Sequence, residues 1–290
     1  MPNRRFPSAA CAAALLLALP LGACAAQVSE QQLIRPVPGG TLSQAAVAEA
    51  APGYSVERRD FAAADGARLH AVHLRRPGAR ATLLYFGGNG YTIERFGPHV
   101  AAFFQSLGVD LMLVDHRGYG LSEGRPTLAA LEADGLAAFD FLAGLPGVDR
   151  ERILVHGHSL GSFIAGHVAA NRDAAGVALE SSVTTTEDWV AAQTRGAAGA
   201  VVRVRIDEGL RGKGNMRNLA NIAEPLLLLV GANDRTTPPR LSEALFRASP
   251  LPATRKFLAV IAGAGHGDVL VQRDAAAAYR AFIEAALAPR

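Results

Sequence analysis

A serine hydroxyl is a poor nucleophile until a base removes its proton, so hydrolytic chemistry is read first from where serines and histidines fall. Ser159 sits at the centre of Gly157-His158-Ser159-Leu160-Gly161, between the apolar run Ile153-Leu154-Val155 and the stretch Ser162-Phe163-Ile164-Ala165-Gly166-His167, which reads as a helix. G-x-S-x-G between a strand and a helix is a tight turn that lifts a serine hydroxyl above the sheet edge. The N-terminus of the following helix favours negative charge developing beside that serine.

The base expected is His266, in Ala262-Gly263-Ala264-Gly265-His266-Gly267-Asp268, on the loop between the last strand and the closing helix. The acid that orients it is expected at Asp234, in Gly231-Ala232-Asn233-Asp234-Arg235-Thr236-Thr237-Pro238-Pro239, with Glu180 at the end of the preceding strand as the rival. An oxyanion needs two N–H donors aimed at one point. Leu160, next after the serine, supplies one. The other is expected from Phe86-Gly87-Gly88-Asn89-Gly90, from the Asn89 backbone, with Gly88 as its neighbouring alternative. Gly88, His158 and Trp189 are candidate walls of the substrate pocket.

Other chemistries fit less well. His156 and His158 bracket Gly157, but no carboxylate or third histidine is spaced to join them around a metal, so packing at the turn is expected of them. Asp115 and Arg117, in Asp115-His116-Arg117-Gly118-Tyr119-Gly120, are expected to brace a loop. Phosphate-binding patterns such as G-x-x-x-x-G-K-[ST] are absent. The net charge of +3 is small and there is no basic stripe with interleaved aromatics, which argues against a nucleic-acid partner. No cysteine follows Cys24, leaving no disulfide, thiolate nucleophile or cysteine zinc site in the folded part.

The elements that must position these residues alternate regularly. Tyr54 to Phe61 and Arg68 to Leu74 read as a hairpin across Asp65-Gly66. Buried strands are expected at Ala81 to Phe86 and Val109 to Val114, further strands at Ile153 to Val155, Val177 to Leu179 and the apolar run Leu226 to Val230, and extended chain at Lys256 to Ile261. Helices are expected at Ile93 to Leu107, Leu128 to Leu142, after Ser159, at Leu241 to Ala248 and at Asp274 to Leu287. Continuous apolar strands separated by helices imply an α/β fold with a mostly parallel sheet covered on both faces. The chain of 290 residues, 50% hydrophobic, suits one such domain over residues 54–290. Residues 182–224 interrupt the alternation and read either as a small cap carrying Trp189 or as a long crossover.

Residues 1–26 read as a targeting segment: Arg4 and Arg5, then an apolar run from Ala9 to Leu21 too short to span a bilayer comfortably. Leu21-Gly22-Ala23-Cys24 resembles the lipobox of bacterial lipoproteins, which implies lipidation of Cys24 and a membrane-anchored exported protein. The alternative is secretion with cleavage after Ala25. Residues 27–53, with Pro36, Pro38, Gly39, Gly40 and Pro52, read as a tether holding one short helix around Ser43 to Ala50.

Taken together, residues 54–290 resemble an α/β-hydrolase-fold serine hydrolase. The resemblance rests on F-G-G-N-G at 86–90, D-H-R-G-Y-G-L-S-E-G at 115–124, G-H-S-L-G at 157–161, the acid loop at 231–239 and A-G-H-G-D at 264–268. The block at 115–124 is similar to that of a small-capped group containing membrane-associated depalmitoylating enzymes and bacterial relatives. Relatives often carry His-Gly where this chain has Gly87-Gly88. The resemblance implies a Ser159–Asp234–His266 triad acting on carboxylic esters of small molecules or lipids, with no metal or organic cofactor. A thioesterase or peptidase using the same residues is the nearest alternative, and a non-catalytic tethered binding protein is an alternative of another class.

Overall fold

The computed structural model describes residues 25–40, 44–194 and 203–289. The chain begins with strand β1 (Ala25–Val28), a single helical turn α1 (Glu30–Leu33) and helix α2 (Gln44–Ala50). The hairpin follows as β2 (Ser55–Ala62) and β3 (Arg68–Arg75), and then strands and helices alternate. They run β4 (Thr82–Phe86), α3 (Ile93–Gln105), β5 (Asp110–Val114), α4 (Leu128–Ala143), β6 (Ile153–His158), α5 (Leu160–Ala169) and β7 (Gly176–Glu180). After α6 (Thr186–Gln193) and β8 (Arg203–Ile206) come β9 (Leu226–Gly231), α7 (Pro239–Ala248), β10 (Lys256–Ile261) and α8 (Arg273–Ala286).

Eight strands form one sheet in the order β10-β9-β7-β6-β4-β5-β3-β2, and β3 alone runs against its neighbours. The mostly parallel sheet expected from the apolar runs is therefore present. Strand β4 shows why both faces must be covered: Leu84 and Phe86 enter the core beneath α4, α5 and α7, whereas Leu83 and Tyr85 enter the core beneath α3 and α8. Successive side chains point to opposite faces, so a strand apolar at every position needs helices on both sides. The central position of β4 and β6 brings the loop after β4 beside the turn after β6.

The N-terminal segment differs from the tether expected. Residues 27–40 and 44–53 are packed on the domain rather than extended from it. β1 pairs in parallel with β8, and Pro38 bridges to Gly120. Ile34 enters the core at 3% exposure, and Val47 and Ala51 of the α2 region are fully buried beside α3. Its prolines and glycines suggested a linker, but isolated apolar residues such as Ile34 and Val47 are what docks it. The segment expected as a cap contains α6 and β8, and β8 finds its only strand partner among the described residues in β1. Cys24, Ser43 and the Ala197–Ala200 stretch lie outside the described residues.

Candidate active site

Ser159 occupies the turn between β6 and α5 with φ of 52° and ψ of −113°, a conformation costly for any residue with a Cβ. The turn survives because the crossing around it is built for glycine. A Cβ on Gly157 would run into the Gly161 carbonyl, and one on Gly161 into the Phe86 and Gly87 carbonyls. The turn is fastened by Ser159 N–H donating to the Glu180 carbonyl at 2.9 Å and by Ser162 Oγ donating to the Ser159 carbonyl at 2.6 Å.

Three side chains meet in a row above this sheet edge. Ser159 Oγ lies 2.9 Å from His266 Nε2, and His266 Nδ1 lies 2.9 Å from Asp234 Oδ2. A carboxylate only accepts, so Nδ1 carries the proton and Nε2 is left free to accept the serine O–H. Asp234 Oδ1 accepts the N–H groups of Thr236 and Thr237, and Oδ2 also accepts Thr237 Oγ1–H at 2.8 Å. Burial works against the charged carboxylate, but the His266 and Thr237 hydrogen bonds outweigh it and hold its pKa below the ordinary range. Asp234 is thus an anion facing the His266 imidazole. Thr237, within 3.2 Å of His266 Nδ1, is a supporting residue the sequence reading did not single out. Its signal was the Asp-x-x-Thr spacing of a side-chain-capped turn.

Glu180 is placed elsewhere. Its carboxylate is buried and lies 3.0 Å from His156 Nε2, and His156 in turn bonds Tyr279 and stacks on Tyr85. His158 is distinct again. Its Nε2–H donates to the His266 carbonyl at 2.8 Å, and burial lowers its pKa, so it is a neutral brace for the His266 loop. The two histidines flanking Gly157 therefore point to different partners. Among the described residues no group of three His, Cys, Asp or Glu side chains is arranged to hold a metal ion.

The loop after β4 brings Gly87, Gly88 and Asn89 over the serine. A Cβ on Gly88 would stand 2.8 Å from His158 Nδ1 and 3.3 Å from Ser159 Cβ, so only glycine fits that close approach. His116 Nε2–H holds the Gly87 carbonyl at 2.7 Å. Leu160 is the first helical residue of α5, so its N–H has no intrahelical acceptor. Asp115 and Arg117 brace the 115–124 loop as expected, each through its own partners. Asp115 accepts from the Ile93 and Leu121 N–H groups, and Arg117 pairs with Asp65 and Asp134.

A cavity of about 250 Å³ opens over Ser159 and is lined by Asn89, Leu160, Phe163, Val183, Trp189 and His266, among others. Trp189 lies in its wall, as the sequence suggested, and its Nε1–H donates to the Thr236 carbonyl at 3.0 Å, tying α6 to the acid loop. Gln32, Leu33 and Arg35 of the N-terminal segment line the same cavity. No sequence signal pointed to them, because a wall contributed from over a hundred residues before the serine leaves no local pattern. A second cavity of about 440 Å³ lies on the other side of His266 and shares Asn89, His158 and His266 with the first.

Comparison with known proteins places this geometry in context. Residues 77–217 match the family model described as serine aminopeptidase, S33. An uncharacterized protein of Mycobacterium tuberculosis is 31% identical over 214 residues, covering 70% of each chain. An Arabidopsis thaliana α/β-hydrolase domain-containing protein is 30% identical over 186 residues, covering 60% of each chain. Among solved structures, an esterase of Pyrococcus furiosus superposes with a TM-score of 0.68 at 15% identity, covering 87% of this chain and 98% of the esterase.

Proposed function

This chain belongs to the α/β-hydrolase family and is a hydrolase, and from that premise we propose that it cleaves carboxylic esters through Ser159, His266 and Asp234. The observation that carries the reading is the continuous row of 2.9 Å contacts from Ser159 Oγ through His266 to Asp234. Ser159 Oγ attacks the ester carbonyl while His266 Nε2 takes its proton. The resulting oxyanion is held by the Leu160 and Asn89 N–H groups. His266 then protonates the departing alcohol, leaving an acyl group on Ser159. Water attacks that acyl group, gives its proton to His266, and releases the acid and the free serine. Asp234 holds the imidazole tautomer and offsets its charge throughout.

The lining of the cavity favours esters over the aminopeptides that the family model's description suggests. An aminopeptidase must bind its substrate's ammonium group, which calls for a carboxylate near the serine. Among the described residues, the Ser159 cavity is lined by no Asp or Glu, and its charged side chain is Arg35. Glu180 lines the neighbouring cavity but is engaged by His156. Leu33, Leu160, Phe163, Val183 and Trp189 suit an apolar acyl group. The deciding experiment compares kcat/KM on aryl esters, acyl thioesters and aminoacyl anilides. Esters should exceed anilides by at least about 10³-fold, since one ion pair lost or gained in a buried site is worth several kcal/mol. Equal or better turnover of anilides would replace the ester reading by a peptidase, and a marked preference for thioesters would replace it by a thioesterase.

Export and anchoring through Cys24 form part of the same proposal, supported by the lipobox-like Leu21-Gly22-Ala23-Cys24. β1 starts at Ala25, so a lipid on Cys24 would leave almost no slack between membrane and domain. The protein should partition with membranes, and Cys24→Ser should release it or block its processing. A mature wild-type protein starting at Ala26 and soluble after cell fractionation would remove the anchor.

A further inference from the structure

Asn89 does more than contribute a backbone group to the loop after β4. Its Nδ2–H donates to the Leu33 carbonyl at 2.5 Å, and its Oδ1 accepts the Arg35 N–H at 2.9 Å. The side-chain amide thereby pairs with the two peptide groups flanking Ile34, as a neighbouring strand would. Ile34 itself is anchored in the core at 3% exposure. Residues 33–35 are thus held from both sides. Oδ1 also accepts the Tyr119 hydroxyl at 2.8 Å. Tyr119 is fully buried, and burial pushes its phenol up to about 12, so it remains a donor at neutral pH.

These three bonds fix the Asn89 side chain, and with it the position of its Cα and adjoining peptide. Oxyanion stabilisation depends steeply on where a donor points, because a displaced N–H loses distance and angle together. We propose that Asn89 is a positioning residue: its side chain fastens residues 33–35 to the oxyanion loop, so that the N-terminal segment sets the aim of the Asn89 N–H at the reacting carbonyl. The proposal rests on the serine-hydrolase reading above. It makes residues 33–35 a working part of the active site rather than a covering. Coupling of this kind is reciprocal, so filling the oxyanion hole must also tighten the grip on Arg35 N–H.

The test uses the full-length chain and Asn89→Ala, which keeps the backbone N–H and loses all three side-chain bonds. On an activated aryl ester, kcat should fall about 10- to 100-fold, less than the 10²- to 10³-fold typical when an oxyanion donor is deleted outright. KM should change less than about 3-fold, because the mispointed donor matters most in the transition state. Hydrogen exchange of the Arg35 amide should quicken in Asn89→Ala. In the wild type it should slow once a phosphonate occupies Ser159, and in Asn89→Ala that slowing should vanish. Wild-type kcat in folded Asn89→Ala, or an Arg35 amide indifferent to the phosphonate in the wild type, would overturn the proposal. Should Asn89→Ala fail to fold, Tyr119→Phe removes one bond to Oδ1 and should cost kcat about 3-fold, in line with about half a kcal/mol to one; unchanged kcat there overturns it equally. A wild-type protein that neither reacts with the phosphonate nor turns over esters would instead sink the hydrolase reading. The Arg35 exchange in Asn89→Ala would still report whether the clamp exists.

Discussion

Ser159→Ala is expected to keep the fold, lose all covalent labelling by a fluorophosphonate and lose on the order of 10⁶-fold in turnover, by analogy with removal of the nucleophile from other serine hydrolases. The backbone cost of the turn is already met in the parent, where a residue with a Cβ sits at φ of 52°, so alanine adds no strain. Ser159 Oγ has one hydrogen-bond partner among the described residues, His266 Nε2, and that nitrogen lines a cavity open to water. Stability should therefore change by less than about 1 kcal/mol. Two other serines near the turn make the experiment discriminating. Ser162 is buried with its hydroxyl donating to the Ser159 carbonyl, and Ser181, at φ of 50°, is buried with no hydrogen-bond partner for its hydroxyl among the described residues. Neither hydroxyl is hydrogen-bonded to His266 among the described residues. Labelling that persists undiminished in folded Ser159→Ala, read by intact-protein mass, would move the nucleophile to another serine.

The second large effect separates the two carboxylates. Asp234→Asn should slow acylation on the order of 10⁴-fold, by analogy with the serine-protease case in which an amide leaves the shape but favours the wrong tautomer. The geometry explains why the amide cannot serve here. Oδ1 accepts two backbone N–H groups and Oδ2 accepts Thr237 O–H and His266 Nδ1–H, so either orientation of an amide puts an NH₂ against donors. Glu180→Gln should cost turnover less than about 10-fold, because its carboxylate contacts His156 and not His266. Its effect should appear as lost stability instead, since His156, Tyr85 and Tyr279 form a buried cluster around it. Single-turnover acylation of both folded variants with an activated ester measures the difference. A large loss in Glu180→Gln with little in Asp234→Asn would exchange their roles, leaving Ser159 and His266 in place.

Much of the site was legible because its signals are local. A strand, a G-x-S-x-G turn and a helix occupy adjacent positions, so the close crossing at Gly157 and Gly161 dictates residue types within a few positions of Ser159. Asp234 and His266 were legible for a related reason: each lies on the loop that follows a strand, and parallel strands deliver all such loops to one edge. The same logic made the sheet readable, since strands buried on both faces must be apolar at every position.

The sequence favoured Asp234 without deciding it against Glu180, because both follow strands at that edge and only side-chain direction distinguishes them. Tertiary structure turns Glu180 under the turn towards His156 and leaves Asp234 facing His266 Nδ1. The N-terminal segment was misread for a deeper reason. Its prolines and glycines were visible, but its partners lie 54 to 56 positions away at Asn89, and farther still along the chain at β8, with which β1 forms a separate two-stranded sheet. Residues carry the chemistry of a turn in their own order, whereas a contact between distant segments depends on a surface that exists only once the sheet and helices have packed. Composition and spacing therefore determined which residues could react, and folding alone decided that Gln32, Leu33 and Arg35 would stand beside them.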